Sequence, residues 1–315
     1  PYHSNPRNPI LTSRHLSYDH WVNSTGHADL FELEDNRWYL VTLGIRGDVN
    51  RRSNMGRETH LVPVQWEREP YEWKQVKYEW PVASPVTGRV DRYFPLPFEG
   101  TRQSRADELI DDFDNPKLSP HWIFRRYPRP GSWSLEEKPG FLRLRASSQV
   151  ISERGRASLV GIRQTETVFS WQTRMLFSPL NTWTEAGITL AQKDDNYIGM
   201  TLVREEQGHW QQLAVTNPGQ AARIERRQLI EGYKGEIYLK ASGSHGGYRF
   251  EYSLHENHDW SAFGQLPAAL ILSRGYTGAL LVLYATGNGQ DSVSFADFDW
   301  VHYEALSGLA KKTPH

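Results

Sequence analysis

The chain has 315 residues, no cysteine, and a net charge of -1 from 36 basic and 37 acidic residues. Disulfides, a thiol nucleophile and thiolate metal sites are thereby excluded, and the well-mixed charge favours neither nucleic acid nor an anionic membrane as a partner. The length suits about two domains of ordinary size, and no apolar run approaches the about twenty residues needed to span a bilayer.

In chain order, residues 1–23 hold three prolines and little apolar surface, and read as a loop. Residues 30–33 and 38–45 are rich in aromatic and aliphatic side chains, and the Glu34-Asp35-Asn36 cluster between them is turn material, so the pair predicts a β-hairpin. Residues 61–66 give a third strand. Two polar motifs, Gly26-His27-Ala28-Asp29 and Gly56-Arg57-Glu58-Thr59, are each placed just before a strand, where side chains leave a rigid sheet and function is common. Residues 67–80 carry one short, irregular strand at most. Pro81, Pro85, Gly88, Pro95, Pro97 and Gly100 then mark residues 81–106 as a linker, with a domain boundary near Asp107.

From Phe113 onward the pattern is strand after strand. Phe169, Trp171, Thr173, Met175 and Phe177 alternate with Ser170, Gln172 and Arg174, the period of two of a half-buried strand. Residues 193–196 and 242–247 are hairpin turns, and residues 279–285 and 293–303 complete the set. With helical periodicity almost absent, residues 107–304 predict an antiparallel β-sandwich, and residues 305–315 a disordered tail. Twelve Trp, fifteen Tyr and twelve Phe suit sheet cores and equally suit stacking on sugar rings.

Asn8-Pro9-Ile10-Leu11-Thr12, Thr25-Gly26-His27-Ala28-Asp29-Leu30 and Gly56-Arg57-Glu58-Thr59 with Pro63-Val64-Gln65-Trp66 resemble the last two blades of a glycoside hydrolase family 43 β-xylosidase. Pro139-Gly140-Phe141-Leu142-Arg143-Leu144, Glu185-Ala186-Gly187-Ile188-Thr189 with Asp195-Asn196-Tyr197, Tyr276-Thr277-Gly278-Ala279 and Ala296-Asp297-Phe298-Asp299 resemble the sandwich that follows the propeller in that family. The resemblance implies an all-β chain: part of a five-bladed β-propeller in residues 1–80, then a concanavalin-like antiparallel sandwich. It implies inverting release of terminal xylose, or arabinose, from xylo-oligosaccharides or arabinoxylan-derived sugars. The general acid and base of the family precede the segment matched here, so no catalytic residue is assigned, and Asp29 and Glu58 are expected to be structural. Since the chain starts at Pro1 without an initiator Met, a fragment or processed product is expected, with low activity on its own. A complementing N-terminal segment or a second copy is the expected protein partner.

Three residues are expected to bind substrate. His27 reads from sequence as a buried side chain bonded to the backbone; the resemblance instead puts it beneath the sugar pocket, where some relatives order water or calcium. One imidazole makes a weak calcium site, since that ion prefers several oxygens, and no cofactor is assigned. Arg57, otherwise a solvated charge, is implied to point at the terminal sugar with its fixed fork of donors. Tyr276 is implied to close the pocket from the sandwich, at a position where the family has Phe; a core Tyr is the alternative. Asp297 and Asp299 are expected on a solvated strand edge, since no third ligand for a metal is evident. A carbohydrate-binding protein without catalysis and a purely structural module remain alternatives. The compartment stays open, with secretion slightly favoured over the cytoplasm.

Overall fold

The computed structural model describes residues 3–48, 50–67, 71–73, 76–95, 108–257, 259–273 and 275–306. The chain divides into two compact units, Pro1–Gln103 with Ser273–Thr277, and Ser104–Leu272 with Gly278–His315. Among the described residues, regular structure is all β apart from one short 3-10 turn at Ala268–Leu270. No helix there is long and apolar enough to cross a membrane.

The first unit is built on β1 (Asn23–Glu32), β2 (Trp38–Ile45), β3 (Glu58–Trp66) and a short β6 (Pro81–Ala83). They pair antiparallel in the order β1-β2-β3-β6, the make-up of one propeller blade. A separate two-stranded ribbon joins β4 (Tyr71–Trp73) to β5 (Val76–Tyr78). The β1–β2 turn closes as its residues dictate: Asn36 takes a left-handed φ of 63°, and Asp35 Oδ1 accepts the Arg37 amide at 3.1 Å. Val22, Leu40, Val62, Val64, Ala83 and Val90 form the small core. Gly44 of β2 is needed there. A Cβ at that position would lie 2.7 Å from Val22 Cγ1 and 2.8 Å from His60 Cδ2, and the space goes to the His60 ring, packed edge-on to Trp21.

Residues 81–91, expected as linker, close this sheet instead. Pro81–Ala83 pairs with residues 64–66 of β3, the Ser84 amide donates to Pro63 O at 2.8 Å, and Val90 is buried. Pro81 opens an edge strand, a position that tolerates a missing N–H, so its proline marked the start of a strand. Residues 96–106 of the expected linker and the boundary at Asp107 lie outside the described residues, as do residues 307–315 of the expected tail.

The second unit is a two-sheet sandwich. One sheet runs β10 (Ser158–Arg163), β19 (Leu280–Thr286), β12 (Glu185–Lys193), β13 (Asn196–Glu205), β14 (Gly208–Thr216), β15 (Arg223–Leu229). The other runs β18 (Ser261–Pro267), β17 (Gly247–Ser253), β16 (Glu236–Gly243), β11 (Phe169–Phe177), β20 (Phe295–Ala305), β9 (Leu142–Arg145), β8 (Trp133–Ser134), with β7 (Glu108–Asp111) also on β20. The expected alternation holds in β11: all five odd-numbered positions from Phe169 to Phe177 are buried and the even ones half-buried. Phe169, Trp171, Met175 and Phe177 share one continuous core with Ile188, Leu190, Met200, Leu202, Leu281 and Leu283 of the facing sheet.

Asp297 and Asp299 are not on a solvated edge. Strand β20 lies inside its sheet, between β11 on one side and β9 and β7 on the other. Its carboxylates meet guanidinium groups from the neighbouring strands: Arg143 donates to both Asp297 oxygens at 2.7 and 2.9 Å, and Arg174 reaches Asp299 at 2.6 Å. The Asp297 side chain keeps only 5% of its exposure, which an ionised carboxylate tolerates only with such partners.

Candidate functional site

The first polar motif is not a lead-in to β1, which already begins at Asn23. It lies within the strand, across two bulges. Asn23 pairs with Ile45, Gly26 with Leu43 and Asp29 with Val41, so each step of two on β2 is matched by three on β1. Each bulge carries one non-glycine residue in the left-handed region, Ser24 at φ 56° and His27 at φ 48°. A bulge re-aims side chains out of the pleat, and here the result is an exposed His27. Thr42 Oγ1 anchors the second bulge by donating to Gly26 O at 2.8 Å.

The second motif is held at both ends. Arg46 clamps Glu58 with three hydrogen bonds of 2.7 to 3.1 Å, across the base of the β2–β3 connection. Glu58 is therefore a structural counter-ion. Asp29, exposed and paired across from Val41, does not line the site. Ahead of β3, Ser53 and Ser273 exchange backbone hydrogen bonds at 2.8 and 3.3 Å, and the Arg57 amide donates to Tyr276 O at 3.1 Å. Gly56, at φ 70°, turns the chain into the strand in a conformation that favours glycine. Segment Ser273–Thr277 thus packs as part of the first unit although it comes late in the chain.

That pairing brings two expected residues together. The Arg57 guanidinium carbon stands 3.7 Å from the centroid of the Tyr276 ring, a cation–π stack. Tyr276 is 72% exposed, so the reading of it as a core residue fails. Arg57, Tyr276 and His27 line one open concavity of about 770 Å³, together with Tyr18, Ser24, Thr25, Gly26, Leu43, Ile45, Asn50 and Arg51. Among these residues there are three basic side chains and no carboxylate.

Tyr18 and Arg51 were not singled out from sequence. The signal lay in Asp48-Val49-Asn50-Arg51-Arg52, an acidic residue followed by amides that its own side chain can accept. Asp48 Oδ1 takes the amides of Asn50 and Arg52, both at 2.9 Å, while Oδ2 takes Arg52 Nε at 3.0 Å and Nη2 at 2.8 Å. Burial works to raise the Asp48 pKa, but these donors outweigh it and hold the carboxyl below its ordinary range. Among the described residues no group of three or more His, Cys, Asp or Glu converges on a common point.

Comparison with known proteins bears on this arrangement. Residues 110–304 match the profile "Beta xylosidase C-terminal Concanavalin A-like domain", and residues 1–70 match "Glycosyl hydrolases family 43". The chain belongs to glycoside hydrolase family 43. It is 30% identical over 310 residues to the non-reducing end α-L-arabinofuranosidase of Bacteroides ovatus, covering 97% of this chain and 56% of that protein. With the xylosidase/arabinosidase of Butyrivibrio fibrisolvens it shares 27% identity, covering 96% and 56%. A solved family 43 protein of Bacillus licheniformis superposes with a TM-score of 0.81 at 28% identity, covering 97% of this chain and 58% of that one. The chain thus spans a little over half the length of these relatives.

Proposed function

We propose that this chain supplies the sugar-binding wall of a glycoside hydrolase that releases terminal xylose, or arabinose, from xylo-oligosaccharides with inversion at the anomeric centre. The observation that carries the reading is the Arg57–Tyr276 stack, which lines one concavity together with His27. A small neutral sugar offers little apolar area, so selecting it takes directed hydrogen bonds in a confined site. Arg57 offers a rigid fork of donors, Tyr276 an aromatic face with a hydroxyl, and His27 a ring that both donates and accepts. The names of the arabinofuranosidase and xylosidase/arabinosidase relatives support the same sugar class.

A second reading, sugar binding without catalysis by these 315 residues alone, is favoured by the state of the nearby acids. Glycosidic hydrolysis normally needs two carboxyl groups flanking the bond. Here Glu58 is bound by Arg46 and Asp48 by Arg52, and neither lines the concavity. Each acid or base is worth about a hundredfold to ten-thousandfold in rate, so turnover of a chromogenic xyloside by the purified 315-residue chain is expected to be negligible. Turnover that is lost when Asp29 or Glu58 is replaced would make those carboxylates the catalytic pair.

A further inference from the structure

Arg51 sits at the tip of the β2–β3 connection with φ at +58°, in the left-handed region that non-glycine residues seldom occupy. Its amide donates to Asp48 O at 2.8 Å, the Asp48 amide donates to Arg52 O at 2.9 Å, and the four Asp48 side-chain bonds lock the residues on either side. A backbone in that region persists only when its surroundings over-determine it, and such positions gather at binding sites. The side chain so presented lines the concavity of Arg57, and its guanidinium carbon stands 5.8 Å from the Tyr18 ring centroid.

The charges around Arg51 are already assigned. Asp48, the nearest acid in sequence, is occupied by Arg52, and Glu58 is occupied by Arg46. No carboxylate is among the lining residues. The loop that carries Arg51 is fixed by six hydrogen bonds, two between backbone groups and four to one carboxylate. A guanidinium near an aromatic ring, with no carboxylate partner among the described residues, suits a ligand that brings its own carboxylate, because the planar fork can bind both carboxylate oxygens at once.

We propose that Arg51 is a second recognition cation of the concavity, and that it selects a sugar bearing a carboxylate, of the uronic acid class. The inference rests on the concavity being a sugar pocket, as argued above, and not on the reaction. D-Glucuronate is the D-xylose ring with a carboxylate added at C5, so the two compounds isolate the contribution of that group.

The test is calorimetric or NMR titration of the 315-residue chain with D-glucuronate and with D-xylose, repeated for Arg51→Ala and Arg51→Gly. Glycine suits the left-handed backbone and removes the same fork, so the pair separates loss of the side chain from damage to the loop. Glucuronate should bind at least about tenfold more tightly than xylose at low salt, and the preference should shrink as salt rises. Both variants should bring it to within about twofold while xylose affinity holds. Equal affinity in the unsubstituted chain, or a preference that survives either substitution, overturns the inference and leaves the neutral-sugar reading standing as long as xylose binds. If neither sugar binds, both readings fail.

Discussion

Arg143 in the sandwich and Arg57 in the blade each lay a guanidinium over an aromatic ring, at 3.6 Å from the Phe295 centroid and 3.7 Å from that of Tyr276. Their remaining donors go to different ends. Arg143 spends them on Asp297 and Glu137, and Lys138 stands 3.4 Å from the same Asp297. Arg57 faces a concavity that no carboxylate lines. In the sandwich the cation pairs with a buried acid inside a sheet, whereas in the blade the stacked cation has no carboxylate beside it among the described residues that line the concavity. Stacking alone is thus no mark of function; what separates the two is whether a carboxylate acceptor lies beside the cation among the described residues.

Replacing Asp297 with Ala should produce the largest effect on folding. It takes from Arg143 and Lys138 the carboxylate they share in a nearly closed site and leaves Arg143 only the more exposed Glu137; breaking a buried pair costs up to about 3–5 kcal/mol. The melting temperature of the sandwich should fall by many degrees while titration with xylose stays unchanged. A variant that melts like the parent would show that Asp297 is not a stabilising partner and would blur the contrast with Arg57.

A smaller effect comes from His60. Burial lowers its pKa from the ordinary value, with the Glu58 charge acting against the shift. The folded blade therefore resists a proton that the unfolded chain accepts at about pH 6.5. The corresponding stability is complete above that pH and is lost as pH falls through the window down to the lowered folded value, at no more than about 1.4 kcal/mol per pH unit. Denaturant unfolding at pH 7.5 and pH 5.5 should show this loss in the parent, and His60→Gln should reduce it. Equal pH dependence in both would assign the acid sensitivity elsewhere.

Much of the fold was legible because burial on one face writes itself into a strand. Strand β11 announced itself by alternation, and Lys193-Asp194-Asp195-Asn196 by its turn residues, with Lys193 and Asn196 forming the closing pair of β12 and β13. Strand β15 was silent for the opposite reason. Six of its seven residues are exposed, so no face imposes a period, and its arginines and glutamate suit an unpaired edge that must avoid other strands. Proline misled at Pro81, where edge position and not chain reversal explains it. At the site, the motifs around His27 and Arg57 were visible but their geometry was not. Two bulges and a late-chain segment bring them onto one concavity, and bulges follow from pairing register, which single-strand patterns do not encode. Arg51 was missed because its place on the concavity depends on what Asp48 does to the backbone around it.

The most direct test of the account is Arg57→Ala in this chain, read by D-xylose titration and thermal melting together. A charged hydrogen bond to a sugar hydroxyl is worth about 1.5–3 kcal/mol, so affinity should fall at least about tenfold. The melting temperature should barely move, because the side chain is exposed and the β3 strand behind it is intact. Arg57→Lys should recover only part of the affinity, since an ammonium lacks the planar fork. Unchanged xylose affinity in Arg57→Ala, or a variant that fails to fold, would contradict the account and return Arg57 to the class of structural arginines to which Arg143 belongs.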